Sequence, residues 1–279
     1  MNARNAVPDP WTDLPTGVDV RLVVCDMDGT LLDAAGEIPA DFWPLLTQMH
    51  ERGIAFAPAS GRQYATLAEM FPGADTYIAE NGTIVVHEGR VVSTTDIDRP
   101  TVDSVIDAVR NASGHDLGLV VCGRDSAYIE RVDGPFREQV DKYYVALTTL
   151  DDLHTVDDEV LKLAVYTFDD AASVAPDVFA PFEAAHQVVV SNTHWIDVMS
   201  QDANKGHAVR AMQQAFGISP AQTAVFGDYL NDLEMLGAGE LSFAMDNAHS
   251  DIRAAARYLA PSNAEGGVLT VLRHLLDDR

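Results

Sequence analysis

From residue 21 to residue 82 short apolar runs alternate with helical periods, a rhythm that breaks off and then resumes from Asn204. Leu22–Cys25 (LVVC) is apolar without interruption, the pattern of a strand covered on both faces. Phe42, Leu45, Leu46 and Met49 follow at i, i+3, i+4 and i+7, and Gly53 closes that helix. Ile54–Ala59 predicts a second strand, 63–70 a second helix and Tyr77–Ala79 a third strand. Strand, helix, strand at this spacing argues for a parallel sheet with right-handed crossovers. From Asn204 the same rhythm gives helix 204–216, strand Ala224–Phe226, helix 231–236, strand Leu241–Met245, helix 248–256, strand Tyr258–Ala260 and helix 266–276.

The middle is different. Thr83–His87 and Val91–Thr94 flank Glu88-Gly89, a hairpin signal. Helix 101–112 precedes the runs Leu117–Cys122, Ala127–Arg131, Leu161–Phe168, Val188–Val190 and Trp195–Met199, with helical patches near 135–142 and 176–185. Closely spaced strands with few helices describe an α+β module. The expected organisation is therefore one doubly wound α/β core, 21–82 and 198–279, interrupted by an inserted cap, 83–197. Two domains suit 279 residues at about 150 residues per domain.

Residues 1–20 hold three prolines and no apolar stretch, and read as a loose leader instead of a signal peptide. Cys25 and Cys122 sit in strand-like runs and read as buried thiols of a reducing cytoplasm, which leaves the sequons at Asn81 and Asn111 without meaning. Forty-three acids against 18 Lys and Arg give a net charge of −25, spread along the chain. That balance speaks against nucleic acid and anionic membrane as partners.

Polar clusters stand directly after the predicted core strands. Asp26 and Asp28 follow LVVC, Ser60-Gly61-Arg62 follow the second strand, and Asp228, Asn231 and Asp232 follow AVF in GDYLND. Lys205 opens the helix capped by Asn204, where the helix dipole disfavours a cation by about 0.3–1 kcal/mol. Ligands of open parallel sheets bind beyond the carboxyl ends of the strands, so these groups should converge on one rim. Several carboxylates in a small volume call for a hard divalent cation, and Mg²⁺ suits oxygen ligands shared with a phosphate. A calcium loop is disfavoured because Leu31 occupies the position that needs glycine.

At these residues the chain resembles the haloacid dehalogenase superfamily of phosphatases. DMDGT matches its first motif, Ser60 the second, Lys205 the third and GDYLND the fourth, with order and spacing intact. IAENGT, ANKGHAV, AMDNA and SNAEGGV resemble recurrent segments of the Cof-type branch, whose α/β cap lies between motifs two and three. Tyr229 departs from the small polar residue usual there. The resemblance implies a Rossmann-like core and a phosphomonoesterase for small phosphorylated metabolites such as sugar, nucleotide or cofactor phosphates. It implies Asp26 as nucleophile forming an aspartyl-phosphate, and Asp28 as general acid and then base. Mg²⁺ would rest on Asp26, the Asp28 carbonyl and Asp228. Ser60, Lys205, Asn231 and the N–H groups of Met27 and Gly61 would hold phosphate, with Thr30 and Asp232 behind them. In the cap, Arg99, Arg124, Arg131, Arg137, Lys142 and Lys162 are candidate substrate contacts. A phosphomutase or phosphotransferase using the same intermediate is the alternative enzyme, and a phosphate-binding regulator the alternative without catalysis.

Overall fold

The computed structural model describes residues 8–15 and 17–277. The N-terminal part contains β1 (Asp9–Pro10), β2 (Leu22–Asp26), α1 (Phe42–Glu51), β3 (Ala55–Ala59), α2 (Tyr64–Met70), β4 (Thr76–Ala79), β5 (Ile84–His87) and β6 (Arg90–Thr94). Next come α3 (Arg99–Asn111), β7 (Leu117–Gly123), β8 (Ala127–Ile129), α4 (Gly134–Val140), β9 (Leu147–Thr149), β10 (Val160–Thr167), α5 (Ala171–Val178), β11 (His186–Asn192) and β12 (Trp195–Ser200). The chain ends with α6 (Lys205–Phe216), β13 (Thr223–Gly227), α7 (Leu233–Leu236), β14 (Leu241–Met245), α8 (Ser250–Ala255), β15 (Tyr258–Ala260) and α9 (Gly267–Asp277).

Two compact units result. The first comprises the chain up to Gly61, Met70–Ser93 and everything from Asn204 onward. Its sheet has the order β1-β15-β14-β13-β2-β3-β4-β5-β6, with every described pairing from β1 to β4 parallel and β4–β5 antiparallel. Side chains alternate across the sheet. Leu22 and Val24 of β2 pack in one cluster with Val209 and Met212 of α6, Met235 of α7 and Ile252 of α8. Phe42 of α1 meets Phe56 of β3 with ring centroids 4.9 Å apart. Both faces of β2 are thus covered, which is why its five residues are all buried and why LVVC carries no polar alternation. The doubly wound α/β core expected from the sequence is present.

The second unit comprises Arg62–Glu69 and Thr94–Ala203. Its sheet has the order β11-β12-β10-β7-β8-β9, antiparallel except for β8–β9. Val105 and Ile106 of α3 and Val174 of α5 share one apolar cluster with Leu163 and Val165 of β10. Phe136 and Val140 of α4 belong to another, with Cys122, Ala164 and Trp195. Gln63 groups with this unit through two hydrogen bonds to the backbone of Ala146, at 2.9 and 3.0 Å.

Several elements differ from the sequence expectation. The hairpin β5–β6, read with the insert, extends the core sheet, because Ile84, Val85 and Val86 are apolar enough to be buried beside β4. Part of the expected loose leader is sheet edge: Asp9 pairs with Tyr258 and Pro10 with Leu259, and Leu14 and Val20 are buried. Residues 1–7 lie outside the described residues. The helix expected near 176–185 runs over Ala171–Val178 and contains Pro176. Cys25 and Cys122 are buried and form no disulfide.

Candidate active site

The site is built at the carboxyl ends of β2, β3 and β13. β2 ends at Asp26, and the chain then turns sharply through Met27–Leu31, with Gly29 at φ +82°. Thr30 within this turn donates its hydroxyl to Asp228 Oδ1 at 3.1 Å, joining the first cluster to the one after β13. A Cβ on Gly29 would stand 2.2 Å from Asp228 Oδ2, so the turn admits glycine on two counts, conformation and space. Gly29→Ala is expected to displace Asp228 or the turn. Destabilisation by about 1–3 kcal/mol would appear in thermal melts. Unchanged values would mean that the turn opens at no cost.

Lys205 starts α6 and is 0% exposed. Asn204 caps the helix, its Oδ1 accepting from His207 N–H at 2.7 Å. The Lys205 ammonium donates to Asp26 Oδ1 and to Asp232 Oδ1, the latter at 2.7 Å. The second oxygen of Asp232 accepts the N–H groups of Asp228 at 3.0 Å and Tyr229 at 3.2 Å. Asp232 is therefore occupied on both oxygens and serves as the anchor of the lysine and of the loop. A cation that the helix dipole disfavours is held here by two carboxylates, Asp26 and Asp232.

Ligand atoms of Asp26, Asp228 and Asp232 lie within 4.8 Å of one another. Burial pushes Asp26 up to about 8, and the Asp232 carboxylate adds to the rise against the pull of Lys205. Burial, then Asp232, push Asp228 up to about 6. Burial works to lower the Lys205 value, but Asp232 and Asp26 more than offset it, and the ammonium stays charged. Desolvation, followed by Asp26, raises the Cys25 thiol far above its ordinary value, which leaves it an inert neighbour. One lysine against three carboxylates leaves excess negative charge. The oxygen donors that remain for a cation are those of Asp26, Asp228 and backbone carbonyls, a set that fits a hard divalent ion.

The other expected residues fall on the same unit. Met27 is buried, and Asp28 is exposed two residues beyond Asp26. Ser60 is buried at the end of β3, its N–H donating to the Ile78 carbonyl at 3.0 Å, and Gly61 follows. Asn231 is exposed, with its Nδ2 3.5 Å from Asn81 Oδ1. Tyr229 points outward, 59% exposed, its ring edge-on to His249. The cap bases fare otherwise. Arg99, Arg124, Arg131 and Arg137 pair with carboxylates of their own unit, and Lys162 is buried on β10.

Sequence reading missed two supports of the turn. Asn247 donates to the Gly29 carbonyl at 2.8 Å, and Asn263 donates to the Leu32 carbonyl at 2.9 Å while its N–H binds Asn247 Oδ1. Their signal was present in AMDNA and SNAEGGV, segments singled out without a role.

The sequence profile described as haloacid dehalogenase-like hydrolase matches residues 23–272. The chain belongs to the haloacid dehalogenase-like hydrolases. Within them it is a phosphatase of the Cof-type branch. It is 31% identical to the 5-amino-6-(5-phospho-D-ribitylamino)uracil phosphatase YbjI of Escherichia coli, over 93% of this chain and 97% of the relative. It is 24% identical to the phosphatase YwpJ of Bacillus subtilis, over 92% of this chain and 100% of the relative. Among solved structures, one from Eubacterium rectale superposes with a TM-score of 0.83 at 25% identity, covering 91% of this chain and 98% of that one. One from Thermotoga maritima gives 0.81 at 22% identity, covering 91% and 97%, and shares the fold. No described helix is long and apolar enough to cross a membrane.

Proposed function

We propose that this haloacid dehalogenase-like phosphatase is a Mg²⁺-dependent, cytoplasmic phosphomonoester hydrolase acting on small phosphorylated metabolites through an aspartyl-phosphate on Asp26. The observation that carries the reading is the placement of Asp26. It ends the central strand β2, contacts the buried Lys205, and lies within metal-sharing distance of Asp228.

Asp26 Oδ attacks phosphorus in line with the ester oxygen. The P–O bond to the leaving group breaks, and Asp28 delivers a proton to the departing oxygen. Asp28 then takes a proton from water, whose oxygen attacks the phosphoaspartate and releases inorganic phosphate with Asp26 regenerated. Lys205, the Ser60 hydroxyl, Asn231 and the N–H groups of Met27 and Gly61 hold the phosphate oxygens, so positioning and charge neutralisation do most of the catalysis. Asp26, the Asp28 carbonyl and Asp228 would hold Mg²⁺, with Thr30 orienting Asp228 and Asp232 anchoring Lys205. Bound Mg²⁺ supplies positive charge against the phosphate oxygens and the carboxylate cluster.

The named activity of the Escherichia coli relative supports a sugar- or cofactor-type phosphate as substrate. The test is phosphate release from a panel of phosphorylated metabolites, including a phosphoribitylamino-pyrimidine, with Mg²⁺ or EDTA. Release that needs Mg²⁺ and ranks the panel supports the reading. Phosphate moved to an acceptor with none set free would replace it by a phosphotransferase.

The raised carboxyls give a pH dependence with a defined sign. Asp26 near 8 and Asp228 near 6 exceed the ordinary 3.8, so the metal-free folded state holds more protons than the unfolded chain between these values. Metal-free stability contributed by these groups is present below about pH 4 and is lost as pH rises through 6 and 8. Mg²⁺ must displace the same protons, so its affinity climbs across that window. Asp228→Asn removes one uncompensated charge and keeps an acceptor for Thr30. It is expected to raise the metal-free Tm at pH 8 while abolishing the Mg²⁺-induced rise, which thermal melts with and without Mg²⁺ would show. A lowered Tm with the Mg²⁺ response intact would refute the ligand assignment.

A further inference from the structure

The turn Glu80–Gly82 between β4 and β5 holds three successive residues with left-handed backbone, φ 49°, 58° and 96°. Only glycine and, to a lesser degree, asparagine adopt this region readily, so a run of three is costly unless neighbouring contacts require it. The neighbours here are the loops that carry the phosphate-holding residues. Asn81 N–H donates to the Ser60 carbonyl at 2.9 Å. The Asn81 amide lies over Gly61, where an added Cβ would stand 3.0 Å from Oδ1 and 3.1 Å from Nδ2. On its other side Asn231 Nδ2 approaches the same Oδ1 at 3.5 Å. One residue on, a Cβ at Gly82 would meet the Asn204 carbonyl at 2.5 Å and the Lys205 backbone nitrogen at 2.8 Å. A single turn therefore touches the segments bearing Ser60 and Gly61, Asn231, and Lys205, which lie far apart in sequence.

We infer that Asn81 is a positioning residue of the phosphate cradle. Its N–H fixes the loop after β3, its amide spaces Gly61 from Asn231, and its left-handed backbone brings Gly82 against the start of α6. Asparagine is suited to all three tasks, because it tolerates positive φ and carries a short side chain with both donor and acceptor. Asn81 does not touch the reacting atoms; it acts through the groups that do. The inference rests on the proposed phosphate-holding roles of Ser60, Gly61, Lys205 and Asn231.

The test measures binding of inorganic phosphate by calorimetry in the presence of Mg²⁺, together with KM and kcat for p-nitrophenyl phosphate. Asn81→Gly retains the backbone conformation and deletes the amide. It is expected to weaken phosphate at least tenfold and to raise KM by a similar factor, with kcat less affected and Tm close to wild type. Asn81→Asp preserves shape and acceptor but sets a negative charge beside the cradle, and should weaken phosphate further. Asn231→Ala should lose affinity too, and combining it with Asn81→Gly should cost less than the two separate losses together. Wild-type phosphate affinity in Asn81→Gly or, should that variant fail to fold, in Asn81→Asp overturns the inference. If wild-type protein binds phosphate in an Asn81-dependent manner but releases none from esters, hydrolysis falls and the positioning role stands. If wild-type protein binds no phosphate, the positioning role falls.

Discussion

Asp26→Asn is expected to lower phosphate release by on the order of 10⁴-fold or more, the loss typical of deleting a nucleophile. The replacement is isosteric, so the end of β2 should keep its shape and an amide oxygen can still accept from Lys205. An amide cannot form the acyl phosphate, and the two-step route closes. Folding should be little affected or even favoured, because burial holds the native carboxyl near 8 and asparagine carries no charge to bury. Two measurements check this together: phosphate release with the best substrate, and the mass of the enzyme quenched during turnover. Wild-type protein should gain one phosphoryl group and Asp26→Asn none. Near-wild-type turnover in the variant, or a phosphoryl group carried elsewhere, would end the assignment.

Lys205→Met is the substitution with the largest expected effect on stability. The methionine fills much of the same space, but Asp26 and Asp232 then share a buried site without their cation. Removing one partner of a buried ion pair costs about 3–5 kcal/mol. In a chain of this size that is a fall in Tm of roughly 10 °C. The sign of its pH dependence follows from the carboxyls. Asp26 already favours its protonated form, and losing the ammonium raises its value further, so a proton can relieve the repulsion in acid. The deficit should be smaller at pH 5 than at pH 8, and Mg²⁺ should recover part of it. Phosphate affinity and turnover should both be lost. Melts at the two pH values, with and without Mg²⁺, read the whole pattern. An equal deficit at both would place the cost in packing instead of charge.

Much of the architecture was legible because burial leaves a mark on composition. LVVC and AVF lack polar alternation since β2 and β13 are covered on both faces, and the residues that follow each run could be placed on one rim from topology alone. Lys205 was legible as a broken local rule, a cation in the first turn of a helix. The hairpin β5–β6 was read with the insert because turn signals mark where a chain reverses and not which sheet receives it. Asp9–Pro10 gave no strand signal at all, since its pairing depends on β15, which lies at the other end of the chain.

By itself the sequence determined the chemistry: which residues carry charge, that they follow buried strands, and that carboxylates, a lysine and small loops recur in a fixed order. Those properties are local, set by side-chain type and by the period of apolar residues. The tertiary structure decided which hydrogen bonds each of these groups makes. Asp232 is taken up by Lys205 and two backbone N–H groups, while Asp228 is held by Thr30, and no spacing distinguishes the two aspartates four residues apart. The same holds for Asn81, Asn247 and Asn263, which lie in segments that stand out in the sequence without a role and whose hydrogen bonds to the loops of the site exist only in the fold. Hydrogen-bond partners and desolvation belong to three-dimensional neighbourhoods, and a neighbourhood assembled from segments 200 residues apart exists only after the sheet has formed.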